Sequence, residues 1–317
     1  MITRDDVLAA EKRISPHIRR TPLLRGGTYS APLWLKCEFL QHTGVFKARG
    51  AFNRQLAALE RGELDPGVGV VAASGGNAGL ANAYAAAALG VQATVFVPAN
   101  APRVKVERLL AYNATVRQVG TEYVEAYEAA QEYVAQSGAL FCHAYDQPEI
   151  AAGAGTIAEE ILRDEPGIDT IVVAVGGGGL YAGLAAAASG RAKIVAVELV
   201  TIPTLHAALE AGRPVDVSVS GIAADSLGAR RVGDIAFSMA SKEPPVSVLV
   251  DDEAIIAART LLWSEYRIPA EYGAATAFAA LTAGAYVPRE NERVAVIICG
   301  ANTDPSTLGA ATGSPQA

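Results

Sequence analysis

Short apolar runs, most of them ending at or beside glycine or proline, recur along this sequence and constrain its fold more than any other feature. The runs are GVGVVAAS from residue 67, VQATVFVP from 91, ATVRQVG from 114, ALFCHAY from 139, TIVVAVGGGG from 170, KIVAVELV from 193 and RVAVIICG from 293. Their apolar residues are continuous rather than alternating, as in strands covered by helices on both faces. The pattern therefore predicts buried, mostly parallel strands.

The segments between these runs have helical patterns. PRVKVERLLAYN places Pro102 where the first turn of a helix tolerates it. TEYVEAYEAAQEYVAQSG spaces Val124, Tyr127 and Val134 along one predicted helical side, and a Ser-Gly pair ends the segment. The alternation of strands and helices predicts α/β layers joined by right-handed crossovers.

Two segments share one layout, in which an apolar run leads into a glycine turn and then an alanine-rich helix. They are SGGNAGLANAYAAAALG, which contains the first glycine turn (residues 74–79), and GGGGLYAGLAAAASG, which contains the second glycine turn (residues 176–179). Small side chains let such a helix lie close to its sheet, and glycines let backbone N–H groups approach an anion. We expect two three-layer α/β lobes facing a cleft: a large lobe at 1–58 and 145–317 and a small mobile lobe at 59–144. Disorder is expected after Leu308.

Composition and charge exclude several classes of protein. The chain has 317 residues, of which 51% are apolar, so it can bury sizeable cores. Its 26 Lys and Arg are interspersed with 33 Asp and Glu, which gives a net charge of −7 and no basic stripe for nucleic acid. Charge, glycine or proline interrupts each apolar stretch before about 18 residues, and the N-terminus has no apolar signal region. We therefore expect a cytoplasmic protein with no membrane segment.

Several kinds of catalytic and metal site are not predicted. The three cysteines lie far apart and form no CxxC pair, so neither a disulfide framework nor a zinc site is indicated. The four histidines show no metal-ligand spacing, and core or surface roles are predicted for them. The sequence also contains no nucleophile-elbow or Walker A pattern.

The second glycine turn follows an apolar run and opens a predicted helix, so its backbone N–H groups can converge on a phosphate. Gly177, Gly179 and Ala182 also satisfy the GxGxxG/A dinucleotide pattern. Glu198 ends the next apolar run about 20 residues on, where a dinucleotide fold holds a ribose. An NAD-dependent oxidoreductase is therefore one alternative, but it gives no role to the first glycine turn.

Lys47 is a further candidate functional residue, and the dinucleotide alternative does not explain it. It lies in TGVFKARGAFNRQL, directly after Val45 and Phe46, at the predicted start of a helix. A lysine on an apolar wall loses hydration of its charged form, so its pKa falls and its amine can act as a nucleophile or Schiff-base partner. The alternative role is a surface lysine whose stem lies along apolar residues.

Five motifs, TGVFKARGAFN, SGGNAG, GGGGL, GIAADSLGARRVG and CGANTD, occur in the order and spacing of the fold-type II pyridoxal-phosphate enzymes. The chain resembles that group, whose fold is like that of the tryptophan synthase β subunit, and within it the serine/threonine dehydratase and serine racemase family. The resemblance extends from about Thr21 to Asp304. It implies an active site between two lobes, pyridoxal 5′-phosphate as cofactor, an amino-acid substrate and a homodimer.

The resemblance implies a role for each matching position. Lys47 matches the lysine that forms the Schiff base and, once released, takes the substrate α-proton. Phe46 matches the residue packed on the pyridine ring, Asn77 the amide beside the ring hydroxyl, and Glu271 a glutamate near the ring and the substrate entrance. The glycine turns match the sites for the cofactor phosphate, at Gly176, Gly177, Gly178 and Gly179, and for the substrate carboxylate, at Ser74, Gly75, Gly76, Asn77 and Ala78.

Cys299 matches the residue that faces the pyridine nitrogen. A thiol there favours a neutral ring and a shallow electron sink, whereas a carboxylate would keep the nitrogen protonated. A shallow sink does not hold a long-lived carbanion. It suits β-elimination, in which electrons leave at once with the β-hydroxyl, better than transamination.

Gly75 departs from the racemase pattern, in which a serine at this position acts as acid and base on the opposite face of the substrate. Racemisation needs proton delivery on both faces, and glycine cannot deliver a proton. We therefore expect weak or absent racemase activity. Together with Ala78 and Cys299, Gly75 makes the chain similar to the liver-type serine dehydratases.

Glu198 matches the carboxylate of a cation site beside the second glycine turn, and Ile202 and Thr204 complete the predicted set. Racemases have a second carboxylate where this chain has Thr204, and fewer charges favour a monovalent ion over magnesium. A strand-end glutamate in an unrelated hydrogen bond is the alternative. For Glu271, the alternative is an acidic residue at a helix N-terminus.

The sequence thus predicts a pyridoxal-phosphate-dependent L-threonine or L-serine ammonia-lyase that releases a 2-oxo acid and ammonia. The alternatives within the resemblance are a dehydratase of another β-hydroxy amino acid such as 3-hydroxyaspartate, a serine racemase, or a catalytically silent cofactor binder. Serine and threonine differ by one methyl group, worth about 1–3 kcal/mol, so the preference between them stays open. Because the motifs end shortly before residue 317, we expect no C-terminal regulatory domain and no feedback by isoleucine.

Overall fold

The structure is a computed structural model that describes residues 1–29 and 31–308. Within this range the chain forms ten β-strands and twelve α-helices, which confirms the predicted α/β class. The strands form two separate sheets. The disorder predicted after Leu308 concerns residues outside the described part of the chain.

The larger sheet has six strands, β1 (Leu23–Tyr29), β2 (Ala31–Lys36), β7 (Thr170–Ala174), β8 (Lys193–Leu199), β9 (Val246–Val250) and β10 (Val294–Ile297). Their order is β1-β2-β10-β7-β8-β9. Only β1 and β2 pair antiparallel; all the other neighbours are parallel. The segments that follow β2, β10 and β7 therefore emerge at the same edge, which is where ligands bind in open α/β sheets.

The smaller sheet has four strands, β3 (Val70–Ala73), β4 (Ala93–Val97), β5 (Thr115–Gln118) and β6 (Leu140–Phe141). They run parallel in the order β5-β4-β3-β6. In this register Val71 lies opposite Phe141. The segments that follow β3 and β6 are therefore neighbours.

Helices connect the strands and cover the sheets. They are α1 (Arg4–Ile14), α2 (Lys47–Glu60), α3 (Asn77–Leu89), α4 (Arg103–Leu110), α5 (Tyr123–Ser137), α6 (Pro148–Asp164), α7 (Gly179–Ala188), α8 (Thr204–Ala211), α9 (Ala224–Leu227), α10 (Asp234–Lys242), α11 (Asp252–Tyr266) and α12 (Tyr272–Thr282). Short 3-10 helices span Glu38–Leu40, His42–Gly44 and Pro305–Leu308. In the described residues, no helix combines the length and the apolarity needed to cross a bilayer.

Burial follows the sequence pattern except in β5, an edge strand whose residues are mostly exposed although its apolar run had predicted a buried strand. Each of the seven apolar runs contains a strand, and all residues of β4 and β7 are buried, as expected for strands covered on both faces. The alanine-rich α7 is buried along its whole length. The backbones of α7 and α6 are in direct contact: a Cβ atom added to Gly155 of α6 would lie 2.6 Å from the carbonyl oxygen of Gly183 in α7.

Some local predictions differ from the structure. Val124 is 55% exposed, whereas Tyr127 and Val134 pack, as predicted, beside the buried Ala126 and Ala130. Val124 instead lies in the wall of the cavity described below. Pro102 precedes α4 as its N-cap residue rather than lying within the first turn. The apolar runs did not identify β1, β2 or β9, of which β1 and β9 are edge strands.

Candidate active site

A cavity of about 910 Å³ has walls from both sheets and brings together most of the predicted site residues. It is bounded by the start of α2, the two glycine turns, the segment after β6 and the segment after β10. The predicted residues in its wall are Phe46, Lys47, Ser74, Gly75, Gly76, Asn77, Ala78, Gly176, Gly177, Gly178, Gly179, Glu271 and Cys299. The predicted cation residues, Glu198, Ile202 and Thr204, are buried outside this wall.

Lys47 is the first residue of α2 and is held at both ends. The Phe46 N–H donates to the Cys299 carbonyl oxygen at 3.0 Å, which ties the start of the helix to the segment after β10. The Lys47 Nζ donates to the Ala144 carbonyl oxygen at 3.1 Å and lies 5.3 Å from the centroid of the Phe46 ring. Desolvation lowers the pKa of Lys47, while Cys299 and Glu271 act in the opposite direction. The amine is therefore shifted toward the neutral form that a nucleophile requires.

A buried ion cluster fixes the first turn of α2. Arg49 donates to both carboxylate oxygens of Glu38 at 2.8 Å and to those of Glu160 at 2.8 and 2.9 Å. Lys36, on β2, donates to Glu160 and to the Thr21 carbonyl oxygen. Two positive and two negative side chains thus balance one another out of contact with water. The cluster joins α2 to β2 and α6, and so fixes the direction in which Lys47 leaves the helix.

The second glycine turn leads into α7 in close contact with the surrounding chain. Gly178 has φ 89° and is the N-cap residue, and among the described residues no side chain caps the helix. A Cβ atom on Gly177 would lie 2.3 Å from the ring of Tyr145. The first N–H groups of a helix have no acceptor within the helix, and its dipole favours an anion there. The turn can therefore hold a phosphate.

The first glycine turn leads into α3 in a similar way. Gly76 is the N-cap residue, and again no described side chain caps the helix. The Ser74 hydroxyl oxygen accepts from the Gly76 N–H at 3.3 Å. By contrast, the side chains of Thr3 and Asp251 cap α1 and α11. Two helix N-termini in the cavity wall are thus available to anionic ligands.

Glu271, Asn77 and Asn302 form a hydrogen-bonded cluster across the cavity. The Asn77 Nδ2 donates to Glu271 Oε1 at 2.9 Å, and the Asn302 N–H donates to Glu271 Oε2 at 3.1 Å. The Asn302 Nδ2 donates to Asn77 Oδ1 at 2.7 Å. Burial raises the pKa of Glu271 to about 7, although these hydrogen bonds favour the carboxylate. Glu271 is the N-cap residue of α12, but its carboxylate reaches α3 instead of capping its own helix.

Cys299 is buried in the cavity wall, two residues beyond β10. Burial raises the pKa of its thiol well above the usual range, and the carboxylate of Glu271 acts in the same direction. The side chain therefore presents an uncharged thiol to the cavity. A neutral group at this position agrees with the role that the resemblance implies.

Glu198 lies fully buried behind the second glycine turn. Its Oε1 accepts from the Thr204 hydroxyl at 2.9 Å and from the Leu205 N–H at 2.8 Å, and its Oε2 accepts from the His206 N–H at 2.8 Å. The Thr204 Oγ1 also lies 2.6 Å from the Gly176 carbonyl oxygen. Burial raises the pKa of Glu198 to about 7. The carboxylate thus holds the start of α8 and, through Thr204, the glycine turn.

The predicted cation residues form a set of oxygen atoms only. Near the Glu198 carboxylate are the Thr204 hydroxyl and the Gly176 carbonyl, and the Ile202 carbonyl accepts from the Thr204 N–H at 3.1 Å. Oxygen donors with one carboxylate suit a weakly charged ion better than zinc or iron. The part of the chain that is described contains no group of three or more His, Cys, Asp or Glu suited to a metal.

The sequence did not identify several residues of this wall. His143 and Tyr145 line the cavity, although the histidines had predicted core or surface roles. Two contacts also link α4 to elements of the larger sheet near the cavity: Lys105 donates to Asp225, and the Arg108 Nη2 donates to Asn302 Oδ1 at 2.6 Å. His143 reaches the cavity because β6 pairs with β3. The sequence alone does not predict which strands are neighbours or in which register they pair.

Comparisons with known proteins agree with one another. A family model described as pyridoxal-phosphate dependent enzyme matches residues 14–300. The chain is 35% identical over 315 residues to the L-threonine ammonia-lyase of Thermotoga maritima, covering 97% of this chain and 77% of that protein. It is 31% identical over 319 residues to the catabolic L-threonine dehydratase of Escherichia coli, covering 98% and 95% of the two chains. The crystal structure of serine racemase from Dictyostelium discoideum matches with a TM-score of 0.89 and 32% identity, over 96% of this chain and 99% of that one.

Proposed function

The chain belongs to the pyridoxal-phosphate dependent enzyme family, and from that premise we propose that it is an L-threonine/L-serine ammonia-lyase. The family match confirms pyridoxal phosphate as the predicted cofactor and leaves no role for the nicotinamide alternative. The observation that carries the proposal is the desolvated amine of Lys47 in one cavity with two uncapped helix N-termini. Relatives named threonine ammonia-lyase and threonine dehydratase align over nearly the whole chain.

The residues present fit the cofactor. Its aldehyde needs an amine, its phosphate needs a cluster of N–H donors, and its ring needs an apolar contact. Lys47 offers the amine, the second glycine turn offers the N–H groups at the start of α7, and Phe46 lies in the same wall. Asn77 and Cys299 offer an amide and an uncharged thiol at the two positions expected to face the ring.

When bound, the cofactor supplies an electron-withdrawing conjugated ring that makes the α-proton of an amino acid acidic. Lys47 then takes the α-proton on Nζ, because desolvation keeps a neutral amine accessible. The backbone N–H groups at the first glycine turn and the Ser74 hydroxyl bind the substrate carboxylate. These groups are half-buried, and partial exclusion of water strengthens each interaction.

The reaction breaks the Cα–H and Cβ–O bonds of the substrate and forms a Cα–Cβ double bond. The proton held on Lys47 joins the departing hydroxide, so that water leaves. The enamine that remains tautomerises and hydrolyses to a 2-oxo acid and ammonia. With the cofactor bound, the uncharged thiol of Cys299 would not protonate the ring nitrogen, which would favour direct loss of the β-hydroxyl.

Racemisation is the second candidate activity, since one similar structure is that of a serine racemase. It requires a proton donor on the face of the substrate opposite Lys47. Gly75 supplies no such donor, and the hydroxyl of the first glycine turn, on Ser74, is assigned to the substrate carboxylate. We therefore propose elimination as the main activity and racemisation as absent or slow.

We also propose that a monovalent cation binds at Glu198, Thr204 and the carbonyls of Gly176 and Ile202. The site would stabilise the second glycine turn from behind. We further propose that the chain forms two lobes with boundaries at residues 58/59 and 144/145. The small lobe would close over the substrate, and the protein would be a homodimer. The thermal midpoint of the protein in potassium chloride, compared with choline chloride, tests the cation: a higher midpoint in potassium is expected, and equal midpoints would contradict the cation site.

The function is tested by absorbance, trapping and product assays on the purified protein. Bound cofactor should give a visible absorbance band that borohydride bleaches, and peptide mapping should find the reduced adduct at Lys47. Lys47→Ala should abolish both the adduct and 2-oxo acid release, while Lys105→Ala, a change at another lysine in the wall, should keep the adduct at Lys47. Assays with L-serine, L-threonine and 3-hydroxyaspartate identify the substrate. Absence of oxo acid from L-serine and L-threonine would overturn the proposal.

A further inference from the structure

His143 lies in the cavity wall between the first glycine turn and Lys47. It lies two residues beyond β6, and β6 pairs with β3, whose end leads into the first glycine turn. The carbonyl of the next residue, Ala144, accepts the hydrogen bond from Lys47 Nζ. A half-buried histidine therefore lies near both the proposed base and the proposed carboxylate site, although the sequence predicted only a core or surface role for it.

Hydrogen bonds fix the tautomer and the position of this imidazole. The His143 Nδ1 accepts from the Asp146 N–H at 2.8 Å and from the Tyr145 N–H at 3.2 Å. Since Nδ1 is an acceptor, the proton of the neutral ring is on Nε2. The His143 N–H donates to Gln147 Oε1 at 2.8 Å, and the ring packs edge-on against Tyr145 with centroids 4.6 Å apart. The ring is thus held rigidly.

The imidazole is also kept uncharged. Burial lowers the pKa of His143, the charge of Lys47 acts in the same direction, and Asp146 acts against them. The carboxylate of Asp146 is itself occupied, because it accepts from the N–H groups of Asp234 and Ile235 at the start of α10. Among the described residues, Nε2 has no hydrogen-bond partner, although the ring lines the cavity. The structure therefore offers one fixed, unused N–H donor in the site.

We propose that His143 is a further catalytic residue, which donates a hydrogen bond from Nε2 to the β-hydroxyl oxygen of the substrate. The inference rests on the proposed function. The N–H groups of the first glycine turn are assigned to the substrate carboxylate, which leaves the β-hydroxyl as the substrate oxygen without a donor from the chain. When the Cβ–O bond breaks, its electron pair moves to that oxygen, and a fixed donor stabilises the charge that develops there.

The interaction is a hydrogen bond and not a proton transfer. A neutral imidazole that gave up its Nε2 proton would become an anion, which burial beside aromatic rings strongly disfavours. The proton that completes the departing water is the one that Lys47 removed from Cα. Neutral imidazole is suited to this role, as in other enzymes where it polarises a substrate oxygen without changing its own charge.

The test compares two substitutions on two substrates. In His143→Asn, the side-chain oxygen can still accept from the Tyr145 and Asp146 N–H groups, but its amide is too short to replace Nε2. In His143→Gln, an amide N–H reaches the position of Nε2. L-serine loses hydroxide, which needs stabilisation, whereas β-chloro-L-alanine loses chloride, which does not. His17→Asn, at a histidine stacked on Phe52 outside the cavity wall, is the matched control.

His143→Asn should lower kcat for L-serine about 100-fold, the usual effect of removing one donor to a developing oxyanion. We expect less than about a threefold change in kcat for β-chloro-L-alanine and in KM for both substrates. His143→Gln should recover part of the loss with L-serine. Unchanged cofactor absorbance and thermal midpoint would show that the variants are folded and loaded.

Other outcomes are distinguishable. Equal losses with both substrates, or a rise in KM alone, would overturn the inference, since either result assigns His143 to carboxylate binding or to structure. Unchanged kcat for L-serine would overturn it as well. If His143→Asn does not fold, the test rests on His143→Gln and on its ratio of kcat for L-serine to kcat for β-chloro-L-alanine. Reduced rates with the wild-type ratio would mean a structural role for His143 and would overturn the inference. Failure of the wild-type protein to release pyruvate from L-serine would instead contradict the proposed function.

Discussion

The two glycine turns precede alanine-rich helices in the same way, but their glycines meet different constraints. In the second turn, a Cβ atom at each of the four positions would collide: at Gly176 with Leu227, at Gly177 and Gly179 with Tyr145, and at Gly178 with Ala236. In the first turn, a Cβ atom on Gly75 would lie 3.2 Å from Val97, and one on Gly76 would meet no described atom closer than 4.0 Å. A Cβ atom on Gly79, in the first turn of α3, would also collide, at 1.8 Å from the Ser74 carbonyl oxygen. The two similar sequence patterns therefore differ only at the glycines before the helix, where the first turn has open space at Gly76 and a narrow space at Gly75.

The difference follows from what surrounds each turn. The second turn lies at the end of a central strand of the larger sheet and is enclosed by the segments at 145 and 227. The first turn is half-buried and faces the cavity. We therefore expect that substitutions at Gly75 and Gly76 can change the activity while the protein stays folded. Any substitution in the second turn is expected to disrupt its structure. The following predictions test this contrast in order of decreasing effect.

Gly178→Ser should have the largest effect. Gly178 has φ 89°, which disfavours any side chain, and its Cβ atom would lie 2.5 Å from that of Ala236. Backbone strain and overpacking together should destabilise the protein by roughly 3–5 kcal/mol and abolish phosphate binding. The affinity for pyridoxal phosphate, followed by absorbance, and the thermal midpoint measure the effect. Normal cofactor affinity would show that the second turn is less constrained than its packing indicates.

Glu271→Gln tests the support of the first turn through Asn77. The pKa of Glu271 is raised from 4.5 to about 7, so the folded state binds this proton more tightly than the unfolded state. The resulting stability is present below about pH 4.5 and is lost as the pH rises to about 7, by about 3 kcal/mol. Glutamine has no such proton, so the variant should lose less stability between these values.

Chemical unfolding of the two proteins at about pH 5 and about pH 7 measures this difference. Glu198 also has a pKa of about 7 and contributes in the same window in both proteins, so it serves as an internal reference. An identical pH dependence in the variant would mean that Glu271 is not the group that titrates.

Thr204→Val tests the support of the second turn. Valine has the shape of threonine but leaves the Glu198 carboxylate and the Gly176 carbonyl without the hydroxyl donor. Loss of a buried donor costs about 1–3 kcal/mol. Thr204→Ser keeps the hydroxyl and is the control. The variant should have a lower thermal midpoint and weaker cofactor binding than the control, and equal values would remove Thr204 from the support of the turn.

Gly75→Ser should have the smallest effect on stability, within about 1 kcal/mol, because its Cβ atom would lie 3.2 Å from the Val97 side chain, a contact that a small shift of that side chain relieves. Ammonia release from L-serine should stay within about threefold of wild type. The added hydroxyl offers a proton on the second face of the substrate, so D-serine formation should become measurable. A loss of folding comparable with that of Gly178→Ser would remove the contrast between the two turns.

The fold was largely predictable because its signals are local. Apolar runs identified seven strands, and the two glycine turns identified the starts of α3 and α7. The segments β1, β2 and β9 escaped because they carry polar residues, glycine or proline, as strands near or at a sheet edge do. Val124 was assigned to the buried side of α5 because periodicity does not show that alanines make the closest contact there.

The site was predictable only in part. Lys47, the glycine turns, Glu271 and Cys299 belong to recognisable motifs, and the structure brings them into one cavity. The cluster of Arg49 with Glu38 and Glu160 was not predicted, because its members come together only when α2, β2 and α6 pack. His143 was missed for a similar reason, since its place depends on the pairing of β6 with β3.

The contacts of α4 determine how easily the cavity can open. Lys105 and Asp225 are partly exposed, as are Arg108 and Asn302. The exposed Lys105–Asp225 ion pair contributes at most about 1 kcal/mol, and dissolved salt weakens it further. The Arg108 contact is an exposed hydrogen bond to the uncharged amide of Asn302. The contacts that hold α4 at the cavity entrance are therefore weak. The buried ion cluster around Arg49, which orients the start of α2, is out of reach of dissolved salt. Ionic strength should accordingly alter how long a substrate or product stays inside without altering the direction in which the lysine points.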